Sequence, residues 1–436
     1  MSRVPTCRSW LQGRCRKGPF CTFRHEATRV PKPSKSILAD TGLLLETIRS
    51  QSPAEPSRSD QDISLTGYEF LSSYSWVDDD LPTIYVPGAP PVWKSKDPPF
   101  TIAKDEGTYL TDQNAARCAM YPTEPLFRSL AVMQPDLSMR EFDIVTDSNC
   151  LRKLLRFVTL AVDRSFRIDV QVQGGVIFFG RWEPAIKHTI LGQYHIGFGH
   201  NFRKAMTLFD DGLQDSSGHY RVVRYSIGGL RCLVRYEAGG CTGAGEAPTK
   251  RNISGDSGNT DDLPDTLNSM SIATPRTEAK DSVQVLNKGR VVPTSSIMEI
   301  KTRTARRKQK MDEVIPQLWF EQTPKIFVGY HVSGKFEEIQ KILMKEEFQR
   351  WEESQQARLR QLVDLLKKLK EVVLRTKGQR CVVVCEMETN STELRVYEST
   401  TKAAVLPDDI IKMHDWAEEV GAKEVTEVEI APGEKS

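Results

Sequence analysis

The sequence predicts an α+β or α/β body, a mixed β-sheet flanked by helices, with a small metal-folded module in front of it. Two hairpins are written in alternating apolar residues around Gly174-Gly175 and Gly228-Gly229. Leucine and valine recur at helical spacing over 150–162 and through much of 335–374. Three of the nine cysteines and a histidine crowd the first 25 residues, and the remaining cysteines are scattered.

With 436 residues, 39% of them hydrophobic, the chain is long enough for one large domain with appendages. A net charge of +2 leaves any affinity for polyanions to local clusters, and residues 1–36 carry many lysines and arginines against the single acid Glu26. No window approaches a membrane span and the N-terminus has no apolar signal core, so we expect no membrane contact. An intracellular protein, in nucleus or cytoplasm, fits cysteines set for metal rather than for a disulfide framework.

Cys7, Cys15, Cys21 and His25 stand as Cys-x7-Cys-x5-Cys-x3-His. Three thiolates and an imidazole complete a tetrahedral Zn2+ site, and metal binding would supply the folding energy that so short a segment lacks. Gly13 and Gly18 allow turns between ligands. Trp10, Phe20 and Phe23, interleaved with Arg14 and Arg24, offer base stacking and phosphate contact. The segment resembles the CCCH zinc finger over residues 1–28, and that resemblance implies binding to single-stranded RNA.

Residues 29–64 are Ser, Pro, Arg and Asp-rich and read as a flexible linker with a short helix at 41–48. Residues 65–125 are proline-rich and irregular. An amphipathic helix follows at 150–162, with Arg152, Lys153 and Arg156 on its solvated face. The first hairpin, 166–179, delivers Glu183 just past its end, and the second, 219–237, ends at Glu237 among arginines. His188, His195 and His200 lack metal-ligand spacing and read as polar or packing residues. Residues 239–290, rich in Gly, Ser, Thr, Asp and Asn, are expected to be a disordered insertion, whose removal leaves Glu237 and Glu299 on strands that can be neighbours.

The strand 296–302 puts Ile297, Glu299 and Lys301 on one face and Met298 and Ile300 on the other. A carboxylate beside an ammonium is half of a metal-dependent nuclease site, the acid holding a hard cation and the lysine steadying charge on phosphate. A basic run at 302–310, a helix bearing Gln317 and a buried strand at 325–330 follow. A long charged helix over 335–374 is a candidate docking element for a protein partner. Strands at 381–387 and 394–397 close the body, before a C-terminal helix and acidic tail in 401–436.

This order of strand-Glu, strand-Glu, Glu-x-Lys strand and Gln helix resembles the PD-(D/E)XK nuclease superfamily, above all its decapping and 5′-end quality-control exoribonucleases and related fungal proteins. The resemblance covers about 65–400 and implies that Glu183, Glu237 and Glu299 bind Mg2+ or Mn2+, that Lys301 is catalytic and that Gln317 positions. The chain departs from the pattern at Glu237-Ala238-Gly239, where the family has Glu-x-Asp; Asp210 and Asp211 are candidate substitutes. Three functions follow: an RNA-binding protein with weak or no hydrolysis, an active ribonuclease, or a protein-interaction module. Replacing Cys15→Ser is expected to release zinc and weaken RNA capture at least several-fold; unchanged affinity in a filter-binding titration would remove the finger from the binding account.

Overall fold

In a computed structural model of the chain, the described residues are 36–50, 62–191, 197–243, 282–307, 309–387, 392–402 and 404–414. The four zinc ligands and the RNA-contact residues assigned beside them, Trp10, Arg14, Phe20, Phe23 and Arg24, lie outside that set, as does His195. No helix among the described residues is long and apolar enough to cross a membrane.

An eleven-stranded sheet runs in the order Thr41–Arg49, Glu393–Ser399, Arg380–Cys385, Phe166–Gln173, Val176–Arg181, Ile144–Asp147, Leu230–Ala238, Ser216–Ile227, Leu65–Val77, Thr83–Gly88, Gln284–Gly289. Both Gly-Gly hairpins form in the expected register, Val172 opposite Ile177 and Ile227 opposite Leu230. Alternation sorts their side chains between two cores. Ile177, Phe179, Cys232 and Val234 meet the helices Ser148–Val158, Met311–Glu321 and Gln356–Leu374. Val176, Phe178, Val222 and Leu233 meet the helices Glu124–Met133 and Asp408–Met413 on the other face.

A seven-stranded sheet adjoins the first and is centred on Gly240–Cys241, Ile297–Thr304, Lys325–Val332 and Lys335–Leu343. Its Ile297 joins the large core, whereas Met298 and Ile300 pack with Trp93, Phe202, Phe327 and Phe336, as alternation along the strand predicts. The helix Gly199–Met206 covers that aromatic cluster through Phe202 and Met206. The result is a mixed α+β fold with large sheets flanked by helices.

Several expectations are corrected. Residues 41–48 form an edge strand, paired with Glu393–Ser399 through two register irregularities, instead of a helix in a flexible linker. Residues 65–125, expected to be irregular, contain a 13-residue strand, Leu65–Val77, with its second half buried. The 239–290 segment is not disordered at its ends, because Gly240–Cys241 and Gln284–Gly289 are both strands. Residues 335–374 are a strand, Lys335–Leu343, followed by two helices. The long helix Gln356–Leu374 buries eight apolar side chains, Leu359 and Leu366 among them, so its apolar face packs on the body's own core. All six described cysteines are buried free thiols.

One buried ion pair fixes the strand that carries Glu237. The Arg235 guanidinium, whose side chain is 3% exposed, donates to both Asp147 oxygens, at 2.6 and 2.9 Å, and to the Pro122 carbonyl at 2.7 Å. It locks Leu230–Ala238 to its parallel neighbour Ile144–Asp147 at the residue pair where the two are in register. Removing one partner leaves the other charge buried and uncompensated. Arg235→Met should therefore cost about 3–5 kcal/mol in urea unfolding, and Arg235→Met with Asp147→Leu should recover a large part of it. A double variant no better than the single one would contradict this assignment.

Candidate active site

The centre forms where the chain passes from one sheet to the other. Leu230–Ala238 ends beside Gly239, and Gly240–Cys241 immediately pairs antiparallel with the next sheet, Gly240 opposite Met298 and Cys241 opposite Ile297. That register sets Gly239 beside Glu299. A Cβ at position 239 would lie 3.1 Å from Glu299 Oε1 and 3.1 Å from the Met298 carbonyl, so the close approach favours glycine here.

Glu299 is 4% exposed and both of its oxygens are engaged. Oε1 accepts from the Ile300 amide at 2.8 Å, and Oε2 accepts from Gln317 Nε2 at 2.6 Å. Lys301 Nζ stands 3.6 Å from Oε2 and donates to Gln317 Oε1 at 3.4 Å. Burial acts to raise the Glu299 carboxyl, but Lys301, Arg203, the Ile300 amide and Gln317 together hold it below the usual carboxylate value. Arg203, from the helix Gly199–Met206, places Nη1 3.5 Å from Glu237 Oε1 and Nη2 3.7 Å from Glu299 Oε1. Desolvation and the Glu299 charge push the Glu237 carboxyl up, against the pull of Arg203, but the side chain is 43% exposed and solvent moderates that push.

Glu237, Glu299, Lys301 and Gln317 are thus brought together, by Arg203 and by hydrogen bonds. Glu183 is held by two other cations. Its Oε1 meets Arg181 Nε at 3.0 Å and Lys153 Nζ at 3.3 Å, and although burial would raise it, these two cations keep it below its ordinary value. Lys153, read as solvated, has a side chain only 15% exposed in this pair. Asp210 and Asp211 do not replace the missing acid, because Asp210 pairs with Arg290 at 2.8 Å and Asp211 accepts from Gln214.

Sequence reasoning missed three members of the network. Glu321 lies one helical turn beyond Gln317 and is therefore on the same face, a signal that was readable. It accepts from Ser148 Oγ at 3.0 Å and from Gln317 Nε2 at 3.4 Å, with Arg152 Nη1 4.0 Å away. Arg152 was assigned to a solvated face, but its side chain is three-quarters covered. Arg203 follows a glycine-interrupted region with no pattern to mark it.

A hard divalent cation needs several oxygens at about 2.0–2.6 Å. These residues do not fit one: a guanidinium stands between Glu237 and Glu299, Glu183 is bound to two cations, and position 239 has no side chain. Among the described residues no three His, Cys, Asp or Glu side chains converge to hold a metal. His200, for its part, stacks on Tyr109 with ring centroids 3.7 Å apart.

The fold and the Glu-x-Lys centre define a mixed α+β body that carries a buried carboxylate, lysine and amide network. By sequence the chain belongs to the family described as a domain of unknown function (DUF8563), which matches residues 48–416. Among solved structures it is similar to Rai1 of Scheffersomyces stipitis in complex with (3′-NADP)+ and calcium, at 11% identity and TM-score 0.50, covering 84% of this chain and 100% of that one. It is also similar to Rai1 of S. pombe, at 10% identity and TM-score 0.49 with 81% and 98% covered. K. lactis Dxo1 in complex with manganese matches at 10% identity and TM-score 0.47, with 82% and 100% covered. At these identities the likeness is one of fold. No curated protein matches the chain.

Burial, with the Glu299 charge adding to it against Arg152, Ser148 and Lys301, pushes the Glu321 carboxyl from 4.5 up to about 8. Between those values the folded chain holds a proton that the unfolded chain has lost, so this group's contribution to stability declines as pH rises through the window and is absent above it. Glu321→Gln should flatten that decline, its advantage in melting temperature over the natural protein growing from pH 5 to pH 8.5. Parallel melting curves across that range would refute a protonated Glu321.

Proposed function

We propose that this chain is an RNA-binding protein whose nuclease-like body has weak or no phosphodiester hydrolysis, with the Cys7, Cys15, Cys21 and His25 module as its zinc-dependent RNA contact. The observation that carries the reading is position 239. The acid that the nuclease pattern places there is a glycine, and a Cβ would already press on Glu299 Oε1 at 3.1 Å, so the third carboxylate is lacking and its space is largely taken. Two-metal hydrolysis draws on several converging carboxylates to clamp attacking and leaving oxygens.

Binding draws on different features. Arg306, Arg307 and Lys310 are exposed just beyond the Lys301 strand, where a phosphate backbone would meet them, and the N-terminal segment adds a second basic region. The same fold in S. stipitis Rai1 is found with a nucleotide, (3′-NADP)+, which is the class of ligand we carry over to this chain. An active Mg2+- or Mn2+-dependent ribonuclease is the second reading. The intact Glu299, Lys301 and Gln317 contacts favour it, because such a trio could still orient a water and a phosphate.

Labelled RNA incubated with Mn2+ separates the two. The natural protein, Glu299→Ala and Lys301→Ala should all leave RNA intact while retaining it with similar affinity. Cleavage by the natural protein that disappears in Glu299→Ala would establish hydrolysis and overturn the first reading.

A further inference from the structure

Glu237 and Glu299 are two carboxylates meeting from adjoining strands, an arrangement that calls for a positive charge between them. The protein supplies one. Arg203 spans the pair, one guanidinium nitrogen 3.5 Å from Glu237 Oε1 and the other 3.7 Å from Glu299 Oε1. Its helix is held in place by the two residues that precede Arg203. Phe202 is fully buried and stacks on Phe336 with centroids 4.5 Å apart, and the Asn201 amide donates to Asp105 Oδ1 at 2.9 Å. The backbone of residue 203 is thereby anchored with its side chain in reach of both acids.

The remaining lone pairs of Glu299 are engaged as well. The Ile300 amide and Arg203 meet Oε1, while Gln317 and Lys301 meet Oε2. An incoming divalent ion would have to displace a guanidinium and a backbone amide, or an amide side chain and an ammonium, before it reached either oxygen. Arg203, whose side chain is 40% exposed, is the one of these with both the freedom to leave and contact with both carboxylates.

We infer that Arg203 is a resident counter-cation: its guanidinium occupies the place of a divalent ion between Glu237 and Glu299 and keeps the pair metal-free. The inference rests on the reading of the body as weakly hydrolytic or inert, and it assigns that state a cause in one side chain. It also implies that the carboxylate pair can be opened to a cation. Neutralising position 203 opens the carboxylate pair, since Arg203 alone among these contacts touches both acids.

The test reads ion binding rather than RNA cleavage, so it fails or succeeds independently of the functional reading. Mn2+ is titrated into the full-length zinc-loaded protein, free Mn2+ is followed by its electron paramagnetic resonance signal, and the melting temperature is measured with and without the ion. Glu299→Gln is made in each background, so that binding elsewhere on the protein is subtracted. The natural protein should show no Glu299-dependent binding. Arg203→Ala should gain Glu299-dependent binding at least about tenfold tighter than the weakest the titration detects and melt higher with Mn2+, an effect lost on adding Glu299→Gln. Should the alanine variant not fold, Arg203→Gln removes the charge while keeping a long polar side chain. Glu299-dependent Mn2+ binding by the natural protein would overturn the inference, as would a folded, charge-neutral position 203 that binds no better.

Discussion

The centre depends on one strand pairing. Because Gly240 and Cys241 pair with Met298 and Ile297 directly after Leu230–Ala238 leaves the larger sheet, a single run of chain belongs to both sheets. Register in a β-ladder is all or none with respect to face, so this short contact decides that Glu237, Gly239, Glu299 and Lys301 are neighbours. A slip of one residue would present Ala238 and Gly240 to Glu299. The Arg235 and Asp147 pair secures the approach from the other side by fixing the same strand to its parallel partner.

Around that crossing the charges are arranged to be nearly self-sufficient. Glu299 is kept ionised in a buried position by two cations and two neutral donors, and Glu321, beyond Gln317, is relieved of its charge instead. The two acids respond oppositely to similar burial because one has cations within 4 Å on each oxygen and the other has only Arg152 at its limit. Gln317 is the hinge of the arrangement: its amide nitrogen serves both carboxylates and its oxygen receives Lys301. An amide is the one side chain of that size able to donate to two acids and accept from a lysine.

Much of this was legible before any coordinates. Alternation placed Glu299 and Lys301 on one face, both glycine hairpins registered as expected, and Gln317 was placed on the next helix. Glu183 was not placeable, because residues two apart on an extended chain share a face and Arg181 captures it locally. Residues 41–48 were misread because Leu43-Leu44-Leu45 at an edge has neither period; all three are exposed and the strand bulges there. The strand Lys335–Leu343 looked helical because Phe336, Ile339, Ile342 and Leu343 fall three and four residues apart among its charges, with Phe336 its one fully buried side chain. Arg203 is a long-range contact, and long-range contacts leave no local periodicity to read.

The edge strand Thr41–Arg49 fixes where the N-terminal part of the chain joins the body. It pins the chain downstream of the basic N-terminal segment, and Arg167 clasps the Ile37 and Ala39 carbonyls just before it. Six strand intervals separate that edge from the one bearing Glu237, a span on the order of 30 Å. The sheet thus sets a fixed width between the strand where the described chain begins and the strand that carries Glu237.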